Sequence, residues 1–405
     1  MSEIVHPAPD GWLKRFFLSL VILALLAGLL LVPWAVCWLT ASGELDQEEV
    51  VARQAQGEFV LFGPGLAQDI MAYKLALYAA VKPEVVVLGS SRAGNVRAAF
   101  FERPFVNMAG AATDLESLRL LVDRMLAVHR PRVVLLGLDF WWLTAGAPAG
   151  HPERIVQPSL LDASTLRAPW RWLVQGRIAP ADMLAPLQHR LRADRYGLEA
   201  QLRDTGYGPD GSLYEGAVLD GRRPAPDHAF ARTLRELESG SGVWAGSLAP
   251  DRERLEAFAE ICCRLRSRGI RTIVFLPPLA TPVLGALADR NGGDAGWLSA
   301  LRQGLLDCGV ESMDFSDPRV YGSGDCEMMD GLHGGDVIGA SLVRDMGDRQ
   351  PWLRDMLHRE YLSHVLRERR GLAAVPDERL TDLPEADFLG LHCAKKRRGE
   401  ATPRF

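Results

Sequence analysis

Residues Glu84–Gly94 read EVVVLGSSRAG. Three valines and a leucine form an unbroken apolar run that ends at Gly89 and hands over to Ser90, Ser91 and Arg92. A short apolar run closed by glycine and small polar residues is the pattern of a buried strand meeting a tight turn. A buried strand that delivers two serines and an arginine at its carboxyl end needs a reason. Either the serines satisfy the free N–H groups of a following helix, or one of them is a nucleophile.

Working outward, four further segments have strand character: FVNMAG (Phe105–Gly110), RVVLLGLDF (Arg132–Phe140), RTIVFLPPL (Arg271–Leu279) and VESMDFS (Val310–Ser316). Helical patterns alternate with them. GLAQDIMAYKLALYAAVK (Gly65–Lys82) has a broad apolar face, on which Tyr73 reads as packing and Lys74 as a solvated charge. A helix is expected to start within Ser90–Phe100, and another covers Leu115–His129 with Asp114 as its cap. DRERLEAFAEICCRLRSRG (Asp251–Gly269) is a helix stopped by Gly269, and helices follow around Pro282–Arg290, Trp297–Cys308 and after the DGLH turn at 330–333. Strands alternating with helices imply an α/β fold, a parallel sheet with helices on both faces. In such sheets ligands bind outside the carboxyl ends of the strands.

Between Trp141 and Ala249 the alternation stops. Prolines, tryptophans and arginines are scattered there, and YGPDGSLYEG carries an Asp210-Gly211 hairpin signal. This stretch is expected as a long insertion after the third strand.

The chain has 405 residues, 48% hydrophobic and 24% charged, with a net charge of -5. That charge, with no basic stripe, gives no electrostatic case for a nucleic-acid partner. Phe16–Leu39 is apolar except for Ser19. At about 1.5 Å per residue it is long enough to cross a hydrocarbon core. Lys14 and Arg15 precede it, while Glu44, Asp46, Glu48 and Glu49 follow before the first basic residue, Arg53. The positive-inside rule then places residues 1–15 in the cytoplasm and the remainder outside, behind an uncleaved single-pass anchor at 16–39 in the inner membrane. The expected layout continues with an acidic linker at 40–65, the main domain at 66–349 containing the insertion 141–249, and a helical, charged, partly disordered tail at 350–405. Lys395, Lys396, Arg397 and Arg398 read as a solvated end or a surface touching anionic polymer or lipid.

Six cysteines occur with no C-x-x-C. Cys308 and Cys326 either pair in an oxidising compartment or stay unpaired. The nine histidines are dispersed, without H-x-x-x-H or H-E-x-x-H, so no metal or other cofactor is expected.

Serine acyl chemistry needs a nucleophile, a base within hydrogen-bond reach, an acceptor that holds the base, and donors for the oxyanion. Ser91 at a strand-to-turn junction would expose its hydroxyl. Asp330 and His333, three apart on one loop, let the carboxylate hold one imidazole nitrogen while the other faces the serine. Gly110 offers an N–H that no side chain shields.

This layout resembles the SGNH hydrolases, also called the GDSL family of lipases and esterases. The first family block, Gly-Asp-Ser, is matched by Gly89-Ser90-Ser91, the second-block glycine by Gly110, the third block by Gly137-Leu138-Asp139 and the last by Asp330-Gly331-Leu332-His333. With the N-terminal anchor, VVVLGSSR, VNMAG and DGLH are similar to a membrane-anchored Gly-Ser-Ser-Arg group whose relatives help acylate exported polysaccharides and cell-wall polymers. The resemblance implies a three-layer α/β/α flavodoxin-like domain, a triad of Ser91, His333 and Asp330, and an oxyanion hole from the N–H groups of Ser91 and Gly110, to which either Asn107 or Asn95 adds a donor in place of the family asparagine, or which rests on the two backbone donors alone. It implies an acylated glycan or other acyl ester as substrate and a membrane-bound acyl donor protein as a possible partner. Ser90 replaces a non-catalytic aspartate. Asp139 replaces an asparagine whose amide donates to the oxyanion, and an ionised aspartate only accepts.

Three readings of the function follow: an extracytoplasmic acyl-ester hydrolase or O-acyltransferase acting on an exported glycan, a carboxylesterase for small esters or lipids, and a non-catalytic scaffold in a polysaccharide acylation complex. Arg92 and Asp139 either contact substrate or pair with each other. Trp141, with Trp142, either stacks on a sugar or lines an acyl pocket, or belongs to the core.

Overall fold

The computed structural model describes residues 10–144, 157–245, 249–291, 297–381 and 383–395. Five strands form the central sheet: β1 (Val85–Leu88), β2 (Phe105–Asn107), β3 (Val133–Gly137), β4 (Arg271–Leu276) and β5 (Glu311–Asp314). Their order is β2-β1-β3-β4-β5, and every neighbouring pair is parallel. These are the five segments with strand character. Continuous apolar runs suit strands covered on both faces.

Alternation along the strands divides the core into two halves. Val85, Val87, Val133, Leu135, Ile273 and Phe275 share one cluster with Val337, Ile338 and Val343 of the helix Asp336–Arg349. Val86, Leu88, Val134, Leu136 and Val274 face the other way, onto the helices α2 (Ile70–Val81), α3 (Leu115–Val128) and α4 (Arg252–Ser267); α1 is the N-terminal helix Asp10–Ala41. Each fully buried valine or leucine contributes roughly 1.5–3 kcal/mol, so the sheet that carries the site is held from both sides. Asp114 caps α3 in a box with Ser117, and α4 ends two residues before Gly269, whose φ is +78°.

α1 is long and apolar enough to cross a membrane. The stretch after it is more than the linker expected at 40–65. It forms a helix, Gln47–Ala55, and a short strand, Leu61–Phe62. Acidic residues suggested solvent, but Val50, Val51, Val60 and Phe62 are buried. The strand lies inside a second, four-stranded sheet, parallel to Arg195–Tyr196 and antiparallel to Thr205–Tyr207. Thr205–Tyr207 and Leu213–Glu215 are the hairpin signalled by Asp210-Gly211, with Gly211 at φ +75°.

The hairpin tip docks on the end of β2. Asn107 N–H donates to the Asp210 carbonyl at 2.7 Å, and Ala98 N–H to the Asp210 carboxylate at 2.7 Å. Lys74 is not a solvated charge. It is fully buried, and its ammonium donates to the carbonyls of Asn107 and Gly211. Burial lowers its pKa to about 7.

The cysteine pairing expected between Cys308 and Cys326 is not formed, nor are these thiols free. Cys263 bonds Cys308, tying α4 to the residues ahead of β5, and Cys326 bonds Cys393. Of the adjacent cysteines on α4, Cys262 faces the core and Cys263 the partner. The tail carries the helices Pro351–Arg354 and Arg359–Glu368, then returns to the domain, where the Ala373 carbonyl accepts from Val337 N–H at 3.2 Å. Lys395 is not solvated: its side chain is buried and bonds Glu385 at 2.6 Å. Lys396, Arg397 and Arg398 lie outside the described residues.

Candidate active site

β1 runs into Gly89, whose φ is +135° and where a Cβ would lie 2.5 Å from the Gly137 carbonyl oxygen. Only glycine lets the chain turn this close to β3. The α-helix expected within Ser90–Phe100 is instead two 3-10 turns, Ser91–Ala93 and Ala98–Phe100. Polar groups between them bond outward rather than along a helix: Asn95 Nδ2 donates to the Gly334 carbonyl at 2.5 Å. The serines divide the two roles. Ser90 is buried and its Oγ accepts from Arg92 N–H at 3.2 Å, capping the first turn. Ser91 is exposed.

The loop after β5 brings the partner. Asp330 accepts the N–H groups of Leu332 and His333 at 2.8 Å each, and both its oxygens lie 2.9 Å from His333 Nδ1. His333 Nε2 lies 2.9 Å from Ser91 Oγ. An ionised carboxylate only accepts, so Nδ1 carries the proton and Nε2 accepts from the serine hydroxyl. Burial works against the ionised Asp330, but the His333 charge and the hydrogen bonds it accepts outweigh burial and hold its pKa at about 2. Burial likewise disfavours an imidazolium at His333; the charge and hydrogen bond of Asp330, with Glu215 adding to them, leave its pKa above the ordinary value.

The loop is braced by the insertion. Gly331 N–H donates to Asp227 at 2.9 Å, and Asp227 also accepts from Thr233 Oγ1 at 2.6 Å. A Cβ at Gly331 would meet Thr233 at 2.7 Å.

Two of the groups expected as oxyanion donors, Asn107 and Gly110, are engaged within the fold. Asn107 is fully buried, and its amide donates to the carbonyls of Ala93 and Val96 at 2.9 and 3.0 Å while its oxygen accepts from Ala109 N–H. It is a brace for the turn after β1, with both amide hydrogens engaged. Gly110, at φ +84°, donates its N–H to the Gly89 carbonyl at 2.9 Å. Tyr207 Oη lies 3.5 Å from where a Gly110 Cβ would stand. Ser91, an exposed residue, opens the 3-10 turn Ser91–Ala93.

Arg92 and Asp139, read from the sequence as either substrate contacts or a pair, form the pair. Their side chains are 4% and 0% exposed and pair at 2.8 Å. Arg92 also donates to the carbonyls of Pro277, Pro278 and Leu332. One guanidinium thus clamps the ends of β1, β3 and β4 to the His333 loop, through donors in a fixed fork. Trp141 is half-buried, with the Arg92 guanidinium 5.3 Å from its ring and Phe140 packed edge-on at 5.1 Å. Trp142 is buried in the core.

Glu215 is the residue that sequence patterns missed. It ends the hairpin strand Leu213–Glu215, whose Leu213 N–H donates to the Gly94 carbonyl at 3.0 Å, one turn beyond Ser91. Leu213 and Glu215 share a strand face, and Leu213 Cβ lies 3.5 Å from a Gly94 Cβ position. Burial raises the Glu215 pKa, the His333 charge opposes that rise, and the Asp330 charge adds to it. Tyr214, on the opposite strand face, lines a separate cleft of about 680 Å³ with Arg97, Asp336 and Tyr361. That cleft contains none of the triad residues. Among the described residues no group of three His, Cys, Asp or Glu side chains is placed to hold a metal.

The arrangement presents a hydroxyl, an imidazole and a carboxylate in series at the carboxyl end of a parallel sheet. No family model, curated protein or solved structure matches the chain.

Proposed function

We propose that the chain is a membrane-anchored, extracytoplasmic serine acyl-ester hydrolase or O-acyltransferase with a three-layer domain of SGNH type, acting on an exported polysaccharide or cell-wall glycan. The observation that carries this reading is the continuous contact from Ser91 Oγ through His333 to Asp330. The strand order supports it: β1 and β3 are neighbours at the point where the connections change direction, where α/β sheets bind ligands. Two disulfides suit an oxidising compartment, in keeping with the charges that flank α1.

In this mechanism His333 Nε2 takes the Ser91 proton as Oγ attacks an acyl carbonyl. Asp330 holds the imidazolium, and Ser91 N–H donates to the oxyanion. The tetrahedral intermediate collapses, His333 returns the proton to the leaving alcohol, and acyl-Ser91 remains. Water or a sugar hydroxyl, deprotonated by the same imidazole, then takes the acyl group and restores the serine.

The test is fluorophosphonate labelling of the purified full chain, paired with the acylation state of surface polymers in cells carrying Ser91→Ala. The expected result is labelling at Ser91 and altered polymer acylation in the variant. No labelling, with unchanged acylation, overturns the proposal. A second reading, a scaffold of an acylation complex, draws on the engaged Gly110 N–H and Asn107 amide. It requires altered acylation when the whole protein is lost but not when Ser91 alone is replaced.

A further inference from the structure

The burial of α1 changes abruptly along its length. Leu29, Leu30, Leu31 and Val32 are exposed, whereas Ala35, Trp38 and Leu39 are fully covered. The cover comes from the insertion. Trp172, on the helix Ala163–Val174, packs edge-on against Trp38 with ring centroids 5.8 Å apart. Trp38 Nε1 donates to the Asp182 carbonyl at 3.3 Å. Trp170 reaches further down α1, donating to the Leu31 carbonyl at 3.3 Å.

That contact sets a depth. A hydrocarbon core of about 30 Å takes about 20 helical residues, so a span that starts at Phe16 ends near Ala35. Leu31 lies about four residues, or roughly 6 Å, inside that edge. Helices that lie in a membrane interface bury their apolar face by roughly 5–10 Å. The same segment of the insertion carries unusually bare apolar side chains: Leu161 is 95% exposed, Val174 88% and Leu187 62%. Arg167 and Arg171, four apart on the helix, are exposed beside them. Tryptophan indoles, bare aliphatics and neighbouring guanidiniums are the chemistry of a lipid interface.

We infer that residues 158–188 form a second membrane-contacting element, seated in the interfacial layer of the bilayer that α1 crosses. Leu161, Val174 and Leu187 enter the acyl region, and Arg167 and Arg171 sit at the headgroups. The occupant of this surface is lipid, because the surface is continuous with the anchor through Trp170 and Trp38. The inference rests on α1 being an anchor. With two contacts the domain has one orientation on the membrane, and a single flexible stalk would leave it free to turn.

The test uses the full chain with Cys37→Ser, reconstituted in vesicles of phosphatidylethanolamine and phosphatidylglycerol. Single cysteines carrying an environment-sensitive fluorophore are placed at Val174 and at Leu187. Leu23, within α1, and Val320, remote from it, serve as references. Quenching is read with a lipid bearing a nitroxide near the headgroup end of its acyl chain, and with aqueous iodide. The expected result is loss of most emission at 174 and 187 to the lipid nitroxide, with the label at 320 answering only to iodide. Labels at 174 and 187 that answer only to iodide, while 23 answers to lipid, overturn the inference and leave the anchor standing. Labels at 174 and 187 shielded from both quenchers also overturn it, in favour of a protein partner or a second copy. A label at 23 open to iodide removes the anchor and the inference together.

Discussion

Ser91 Oγ and His333 Nε2 lie 2.9 Å apart although 242 residues separate them in the chain. The distance suits proton transfer, and the Nδ1 contacts to Asp330 hold the ring in the tautomer that transfer needs. Asp330→Asn is expected to lower esterase kcat by on the order of 10⁴-fold, because an amide can select the wrong tautomer. Ser91→Ala is expected to abolish fluorophosphonate labelling without moving the thermal midpoint. Steady-state rates on a chromogenic acetate ester and a melting curve check both.

The His333 pKa sits above its ordinary value, so the neutral base forms only as pH rises through that raised value. The acidic limb of kcat/KM is expected above pH 6.5 or so. Glu215 contributes to the rise through its negative charge. Removing that charge destabilises the imidazolium, so Glu215→Gln should move the limb to lower pH. A pH–rate profile of the variant with an unmoved limb, or one displaced upward, removes Glu215 from the site's electrostatics.

Arg92 and Asp139 form a buried pair, and deleting one member strands the other. Arg92→Ala leaves an uncompensated carboxylate and frees the carbonyls of Pro277, Pro278 and Leu332. The expected loss is about 3–5 kcal/mol of unfolding free energy. The double change to Ala at both positions should cost less than the sum of the two single changes. Denaturant midpoints of the three variants measure this.

The disulfides close loops with sequence separations of 45 and 67. Chain-entropy arguments assign about 4 kcal/mol to each. Cys393→Ser should therefore lower the thermal midpoint and expose the stretch after Arg369 to protease. Limited proteolysis with mass mapping reads the second effect.

Some of this was legible in the residues alone. β1 and β3, and β4 from Ile273 onward, are continuous apolar runs because neighbours cover both their faces, and such runs admit little else. Asp114 and the Asp210-Gly211 turn announce themselves by local chemistry. The Ser91, Asp330 and His333 meeting followed from placing strand ends on a common edge. Asn107 and Gly110 misled because a sequence shows which groups can donate but not which acceptors reach them first. Asn107 is engaged by Ala93 and Val96, and Gly110 by Gly89. Lys74 depends on where a hairpin more than a hundred residues away comes to rest, Glu215 on where the hairpin that carries it docks, and no local period encodes that docking.

The short strand Leu61–Phe62 occupies an inner place in its sheet, with partners on either side. A recombinant fragment begun at Leu66 would therefore open a gap in the middle of a sheet, strip the cover from Tyr73 and Tyr196, and unseat the hairpin that carries Glu215. Any soluble form meant to keep the reaction centre intact has to start no later than Asp46, ahead of the helix that precedes this strand.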